Sequence, residues 1–373
     1  MLDEEFVSIF APMHLISTCL FIRKYDLYKT RLTPSSNRGI LLSVFGIIIV
    51  FTSLILTLYS LSIIINIPTY YTYLFIYIQY AVGCSMIIVF NLRNSFINTK
   101  LLIILQMIER NIPDRRILKR IKTIVWFSCF TMILSHGIFI TLKLFLDPFW
   151  TKQKGCFVIL TFILDFELFY STIVVYFMAC KIKQWTQVLN KNDKQSSDSS
   201  RVTEHTLQMM YKTYKSLLDA LTLVKRTTQW TILLHFVTSF TQSMAFFGIL
   251  MLCTGNEILN SMLMTSRLLS IAMFVIKSLT METIYCMVCE NFYRQINTAK
   301  LHVILFGSHQ EYSTAKRFVK SVQRLTALQY TKLNGCGVFV VDAKLPFNLA
   351  ALILNHIVVL LQFALSNSET KDI

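Results

Sequence analysis

Several ionisable side chains lie inside stretches of this chain that are otherwise apolar: His136, Lys143, Asp165, Glu167, His235, Lys277 and Glu282. A charge held at the depth of a hydrocarbon core is costly, so such groups face a partner or a wet cavity. Two kinds of chemistry follow. The charges can pair to assemble a helix bundle, for example Lys143 with Asp165 or Glu167, or they can contact a ligand. Both can hold at once, because a charge pair in a pocket wall also orients what binds there. Aromatic and amide side chains accompany them. Tyr77, Tyr80, Tyr170, Gln242 and Phe246 are deep enough in their stretches to line a pocket, whereas Tyr70, Tyr71 and Tyr73 read as anchors at a membrane interface. Aromatic walls with few polar groups suit a small, partly apolar organic ligand. No Gly-rich phosphate loop, HExxH motif or Ser/His/Asp grouping is present, which speaks against an enzyme and against a bound cofactor. The cysteines give no metal spacing. Cys286 and Cys289 read as small packing residues on a helix, and Cys156 and Cys253 either pair or remain thiols.

The elements that must hold these groups are membrane helices. Of the residues, 54% are apolar and only 15% charged, with 10 glycines in 373 positions, a composition rare in a soluble domain. Apolar runs at 40–65, 70–92, 124–146, 156–180, 230–254, 266–289 and 347–366 are each long enough to cross a core of about 30 Å as a helix. The expected fold is therefore an all-α membrane protein with seven transmembrane helices. Basic residues set its direction. Most of the 36 Lys and Arg fall before the first run or in the loops 93–123, 181–229 and 290–346, and every second apolar run separates one such stretch from the next. Basic segments stay cytoplasmic, so the N-terminus is expected inside and, after seven crossings, the C-terminus outside. A G-protein-coupled receptor has the opposite arrangement. The net charge of +16 thus reads as a topology signal with attraction to anionic membrane lipid, not as nucleic-acid binding.

The remaining segments carry weaker signals. The chain opens on Met1-Leu2-Asp3-Glu4-Glu5, acidic where a cleavable signal would be basic. The apolar stretch 6–22, interrupted by Pro12 and His14, is expected to re-enter the membrane or lie at its surface. The tract 191–200 (KNDKQSSDSS) reads as a linker. Phe318, Val322, Leu325 and Leu328 share one helical face and Lys316, Arg317, Lys320 and Arg324 the other. That pattern fits a helix on the inner leaflet or one packed against its copies, and slightly favours the leaflet. In the last run, Gln362 closes the apolar sequence Val358-Val359-Leu360-Leu361. A buried amide there either bonds to a neighbouring helix or, repeated around an axis, forms a polar ring in a pore, and spacing alone leaves the two even. Val359 shares its face. His356 is expected to pack.

The approach to that run is the most specific motif. Gly335-Cys336-Gly337, Phe339, Asp342 and Leu345 precede it, and Gln362-Phe363 ends it after five apolar residues. This resembles the C-terminal signature of insect gustatory receptors, relatives of insect odorant receptors. The family's Thr-Tyr pair before the five apolar residues is replaced here by Asn355-His356. Sugar-sensing members carry Glu directly after that pair, where this chain has Ile357, which argues against the sweet subgroup. The resemblance implies a ligand-gated, non-selective cation channel of sensory-neuron membranes, opened by a small organic tastant. It implies a homo- or hetero-tetramer with related receptors, with Val359, Gln362 and Phe363 in the pore. It also implies a division of the chain: residues 1–39 cytoplasmic, 40–289 a six-helix ligand-binding bundle, 290–346 a cytoplasmic anchor where subunits meet, 347–366 the pore helix and 367–373 an outer tail. A transporter is the competing reading, but no internal repeat is evident and the helices are largely unbroken.

Overall fold

The computed structural model of the chain describes residues 3–28, 30–64, 67–146, 152–196, 204–254, 261–309 and 313–369; the side chains at 60–64, 67–70, 72–73, 142–146, 152–159, 192–196, 246, 249–254, 261–268, 270–271, 309 and 363–369 lie outside the description. The elements run α1 (Glu4–Cys19), β1 (Asp26–Tyr28), β2 (Arg31–Thr33), α2 (Asn37–Ile64), α3 (Ile67–Arg93), α4 (Ser95–Asn111), α5 (Arg115–Leu146), α6 (Lys152–Ser196), α7 (Glu204–Thr254), α8 (Ser261–His309), α9 (Ser313–Gln329), β3 (Asn334–Gly335), β4 (Phe339–Val340) and α10 (Leu345–Glu369).

The all-α architecture follows from the apolar runs. Among the described residues, six helical stretches are long and apolar enough to cross a membrane: Asn37–Tyr59, Leu74–Arg93, Arg115–Thr141, Leu160–Lys191, Ala272–Ser308 and Leu345–Gln362. Each overlaps an expected run. The run at 230–254 is helical within α7 but is not one of the six, and its side chains from 249 onward lie outside the description. The helices α6, α7 and α8 contain 45, 51 and 49 residues. At 1.5 Å per residue each exceeds about 65 Å, more than twice a hydrocarbon core, so each continues well beyond any span.

α6 is the central element and touches α2, α3, α4, α5, α7 and α8. Its apolar residues point in every direction, and Phe166, Leu168, Val175, Phe177, Met178, Ile182, Trp185 and Leu189 are buried around its whole circumference. Beyond the apolar part, α4 and α7 pack together, the Trp185 indole N–H donates to the Met210 carbonyl at 2.9 Å, and α9 lies across α7 and α8. Phe318, Val322 and Leu325 of α9 are buried there, with Tyr214 Oη 2.9 Å from Thr326 Oγ1. The apolar face of α9 is therefore covered by its own chain and is not free to lie on a leaflet. Leu328, at the end of that stripe, is 83% exposed.

The stretch before α2 folds back on itself. Asp3 pairs with Arg110 at 2.8 Å, and Phe6 and Phe10 of α1 pack on Phe177. The helix then ends in a Schellman turn: the N–H of Ile22 donates to Ser17 O at 2.8 Å and that of Phe21 to Thr18 O at 3.1 Å. Phe21 takes the left-handed position, φ 61°, where glycine is usual. Its side chain explains the choice. It lies against Gly46 of α2, where an added Cβ would stand 2.4 Å from the Phe21 Cβ, and its ring meets Phe45 at 5.8 Å. The β1–β2 hairpin leads the chain back to the start of α2, pairing Asp26 with Thr33.

Candidate functional site

Two carboxylates on α6 organise the interior. Asp165 and Glu167 are two residues apart, roughly 200° around a helix, so they face opposite sides. Asp165 looks toward α5, α7 and α8. Its Oδ2 lies 3.0 Å from His136 Nε2 and 2.5 Å from Lys277 Nζ, and its Oδ1 lies 3.3 Å from His235 Nε2. His235 Nδ1 is in turn 3.1 Å from Glu282 Oε1. His136 Nδ1 lies 3.0 Å from the Met132 carbonyl, so both histidines stand between two oxygens. Four helices thus meet at one charge cluster, with three donors converging on a single carboxylate that has little access to water.

Glu167 serves a different junction. Its Oε2 accepts from Lys24 Nζ at 2.7 Å; the same ammonium donates to Asn91 Oδ1 at 3.0 Å and sits 4.1 Å from the centre of the Tyr170 ring. This ties the folded-back N-terminal stretch to α3 and α6. Among the described residues, Asp165 pairs with Lys277 and Glu167 with Lys24. The side chain of Lys143 lies outside the described residues. The helix period turns the two carboxylates toward these different neighbours.

A cavity of about 480 Å³ opens beside the Asp165 cluster, between α5, α6 and α8. His136, Asp165 and Lys277 line one end; Ile124 and Val288 lie at the other, with hydroxyls such as Ser128, Thr131 and Thr172 along the walls. Of the residues expected to contact ligand, this cavity gathers His136 and Asp165. Tyr80 lines a separate void of about 10 Å³ on the far side of Asp165 and Lys277, room for about one water. Tyr77 is buried in α3, Tyr170 is engaged by Lys24, and Gln242 is fully buried on α7 with neither amide atom hydrogen-bonded among the described residues. The side chain of Phe246 is outside the description. Lys277, His235 and Glu282 complete the cluster. Their position inside apolar runs marked them in the sequence, but nothing there told which helices would bring them together. Lys24 was hidden among the basic residues before the first run.

The motif before α10 forms a tight hairpin. Cys336 and Gly337 both have positive φ, 51° and 81°, and β3 pairs with β4. Gly335 is required by contact: a Cβ there would lie 2.6 Å from the Phe339 ring, which itself packs on Phe236 at 5.2 Å. Leu333 is fully buried and its N–H donates to Tyr293 Oη at 2.9 Å. Burial raises the Cys336 thiol above its ordinary value. The Asp342 carboxylate accepts the Lys344 N–H at 3.0 Å just before α10 starts at Leu345.

α10 rests on α7 and α8 through one stripe, Leu345, Leu349, Ile353 and Ile357. Its opposite face is open. Asn348, Asn355 and Gln362 recur every seven residues and are all exposed, and Gln362 lies nine residues, half a turn out of phase, from Ile353. Val359 is 47% exposed on the same side. His356 is also exposed, with its ring edge-on to Phe240 at 5.6 Å and its Nδ1 3.2 Å from the Leu352 carbonyl. The side chain of Phe363 lies outside the described residues.

The chain matches no protein-family model and no curated protein. Among solved structures it is similar to the insect olfactory receptor OR5 from Machilis hrabei, with a TM-score of 0.66 and 14% identity over 95% of this chain and 97% of that one. A structure of the same receptor in complex with eugenol gives a TM-score of 0.64 and 14% identity over 97% of this chain and all of that one. At that identity the likeness establishes the fold: a multi-helix membrane architecture of the insect olfactory receptor kind.

Proposed function

We propose that this chain is a subunit of a chemosensory channel of the insect gustatory-receptor type: a tetrameric, ligand-gated cation channel opened by a small organic tastant, bitter-type rather than sugar. The observation that carries the reading is the open face of α10. A line of amides, Asn348, Asn355 and Gln362, on an otherwise apolar helix is expensive against lipid. Four copies arranged about an axis turn that line inward, where it meets water and ions instead. Val359, Gln362 and Phe363 then surround the narrow part, and the apolar residues between the amides can gate by dewetting. The seven-helix threading with the N-terminus inside rests on the placement of the basic residues. The fold likeness supports a chemoreceptor, and the neighbour's complex with eugenol agrees in kind with a small organic ligand. The hairpin motif and the Gln-Phe ending support the gustatory branch, and Ile357 supports a ligand other than sugar.

The test is Gln362→Ala, expressed in cells without other chemoreceptors and recorded in excised patches free of GTP. Ion permeability ratios or pore block should change while surface expression is retained. Currents with unaltered permeability and block would remove Gln362 from the pore, and a requirement for GTP would remove the channel reading itself.

A further inference from the structure

The cavity between α5, α6 and α8 has a form that selects its occupant. Along α8 its lining runs from Lys277 to Val288, eleven residues or about 16 Å of helix, and along α6 from Asp165 to Tyr176 over the same distance. It is a slot parallel to the helices, with its charges gathered at one end. Its mouth lies between α5 and α8, where Phe127 is 70% and Ile284 48% exposed. Both residues belong to stretches apolar enough to cross a membrane, so the medium outside the mouth is hydrocarbon. What enters must dissolve in the bilayer.

The charged end presents a donor. The Lys277 side chain is 25% exposed, whereas Asp165 is 5% and His136 8% exposed. A ligand therefore meets an ammonium first and needs an acceptor, best an anionic one. Asp165 can release that ammonium without being stranded, because Oδ2 keeps His136 and Oδ1 keeps His235. Lys277 also stands near the middle of the apolar run 266–289, eleven residues or about 16 Å from its outer end. A phospholipid headgroup fixed at the interface does not reach that depth. A carboxylic acid does, since it travels through hydrocarbon in its neutral form and can pass its proton to the Asp165 carboxylate as the Lys277 ammonium turns from Asp165 to the ligand.

We infer that this slot binds a single-chain amphiphile with a carboxylate head, of the fatty-acid class, with the carboxylate on Lys277 Nζ and the alkyl chain lying toward Ile124 and Val288. Binding draws Lys277 away from Asp165 and so loosens the α6–α8 contact at the cluster. That this step opens a channel rests on the function proposed above; the binding site itself does not.

The test uses the full-length purified protein in lipid nanodiscs and a photoreactive diazirine analogue of hexadecanoic acid, with labelled peptides mapped by mass spectrometry. Label should fall on α5 and α8 around the slot, be displaced by hexadecanoate, and be displaced by hexadecanol roughly ten-fold less well. Lys277→Met should lower labelling there by roughly ten-fold, and Lys277→Arg should keep it, since Arg retains the charge. Should Lys277→Met fail to fold, Thr131→Trp fills the slot from its exposed wall without touching the charges and should abolish the label. Label spread evenly over the lipid-facing helices, equal displacement by the alcohol, or full labelling of folded Lys277→Met or Thr131→Trp would overturn the site. Specific labelling without a hexadecanoate-evoked current supports the site and counts against the channel reading alone.

Discussion

α6 and α10 are both apolar helices of membrane-spanning length, yet 89% of the apolar window of α6 is buried within the chain and only 17% of that of α10. Their polar side chains differ in the same way. On α6, Asp165 is closed by three donors, Glu167 by Lys24, and the Thr172 hydroxyl donates to the carbonyl of Leu168. On α10, Asn348, Asn355 and Gln362 point away from the bundle. A polar group in an apolar helix therefore has two meanings here. On α6 it joins neighbouring helices of one chain, and its loss should be felt as instability. On α10 it belongs to a surface that a single chain leaves incomplete, and its loss should be felt in assembly or conduction.

The largest expected effect tests the α6 half of that contrast. Asp165→Ala leaves Lys277 without its carboxylate and removes the acceptor facing His136 and His235. Breaking one side of a buried charged cluster costs about 3–5 kcal/mol. Thermal unfolding in detergent should show a large drop in midpoint, with reduced surface expression. Gln362→Ala, in the same assay, should stay within about 0.5 kcal/mol of the parent. Equal losses in the two variants would dissolve the distinction between the helices.

A smaller effect is expected where the bundle hands over to α10. Gly335→Ala places a methyl group 2.6 Å from the Phe339 ring, and that ring cannot swing freely because it packs on Phe236. Overpacking of this kind costs about 1–3 kcal/mol. Since the hairpin sets the start of α10, stability should fall and ligand-evoked current should fall with it. A variant with parental stability and current would show that the hairpin does not fix the pore helix.

How far this contrast was legible in the sequence depends on the kind of signal. Long apolar runs announce helices, because lipid leaves the backbone no alternative, and each of the six stretches overlaps a run. Gln362 and the glycines around Cys336 were also visible, since an amide in an apolar run and a Gly-x-Gly turn are local facts. Partner choice was not. Lys24 is one of five basic residues before the first apolar run, and counting charge cannot tell which of them folds back onto Glu167. The stripe of Phe318, Val322 and Leu325 reported an amphipathic helix, but whether lipid, a copy or α7 and α8 covers it is settled by the path of two helices each about 50 residues long. The cavity was invisible for the same reason: Thr131, Thr172 and Thr280 become its walls only after three helices are set side by side.

The smallest effect separates ordinary capping from the charge clusters of α6. Asp114 precedes α5, and its Oδ1 accepts the N–H of Arg116 at 2.9 Å and of Ile117 at 3.2 Å, while Oδ2 accepts from the Gln184 side chain on α6 at 2.9 Å. Partial burial pushes this carboxyl up, but the two backbone N–H groups, the amide of Gln184 and the charge of Lys181 together hold it below its ordinary 3.8. A folded-state value depressed below the unfolded one contributes stability that is complete above the unfolded value and fades as pH falls through the folded one. Asp114→Ala should therefore cost about 1 kcal/mol at neutral pH, as loss of an N-cap does. The difference in unfolding midpoint between parent and variant should stay constant from neutral pH down to mildly acid conditions and shrink only below the ordinary carboxylate value. A gap that instead closed well above the ordinary carboxylate value would mean that the cap is coupled to another titrating group, and that the outer layer of α6 contacts is not independent of the rest of the bundle.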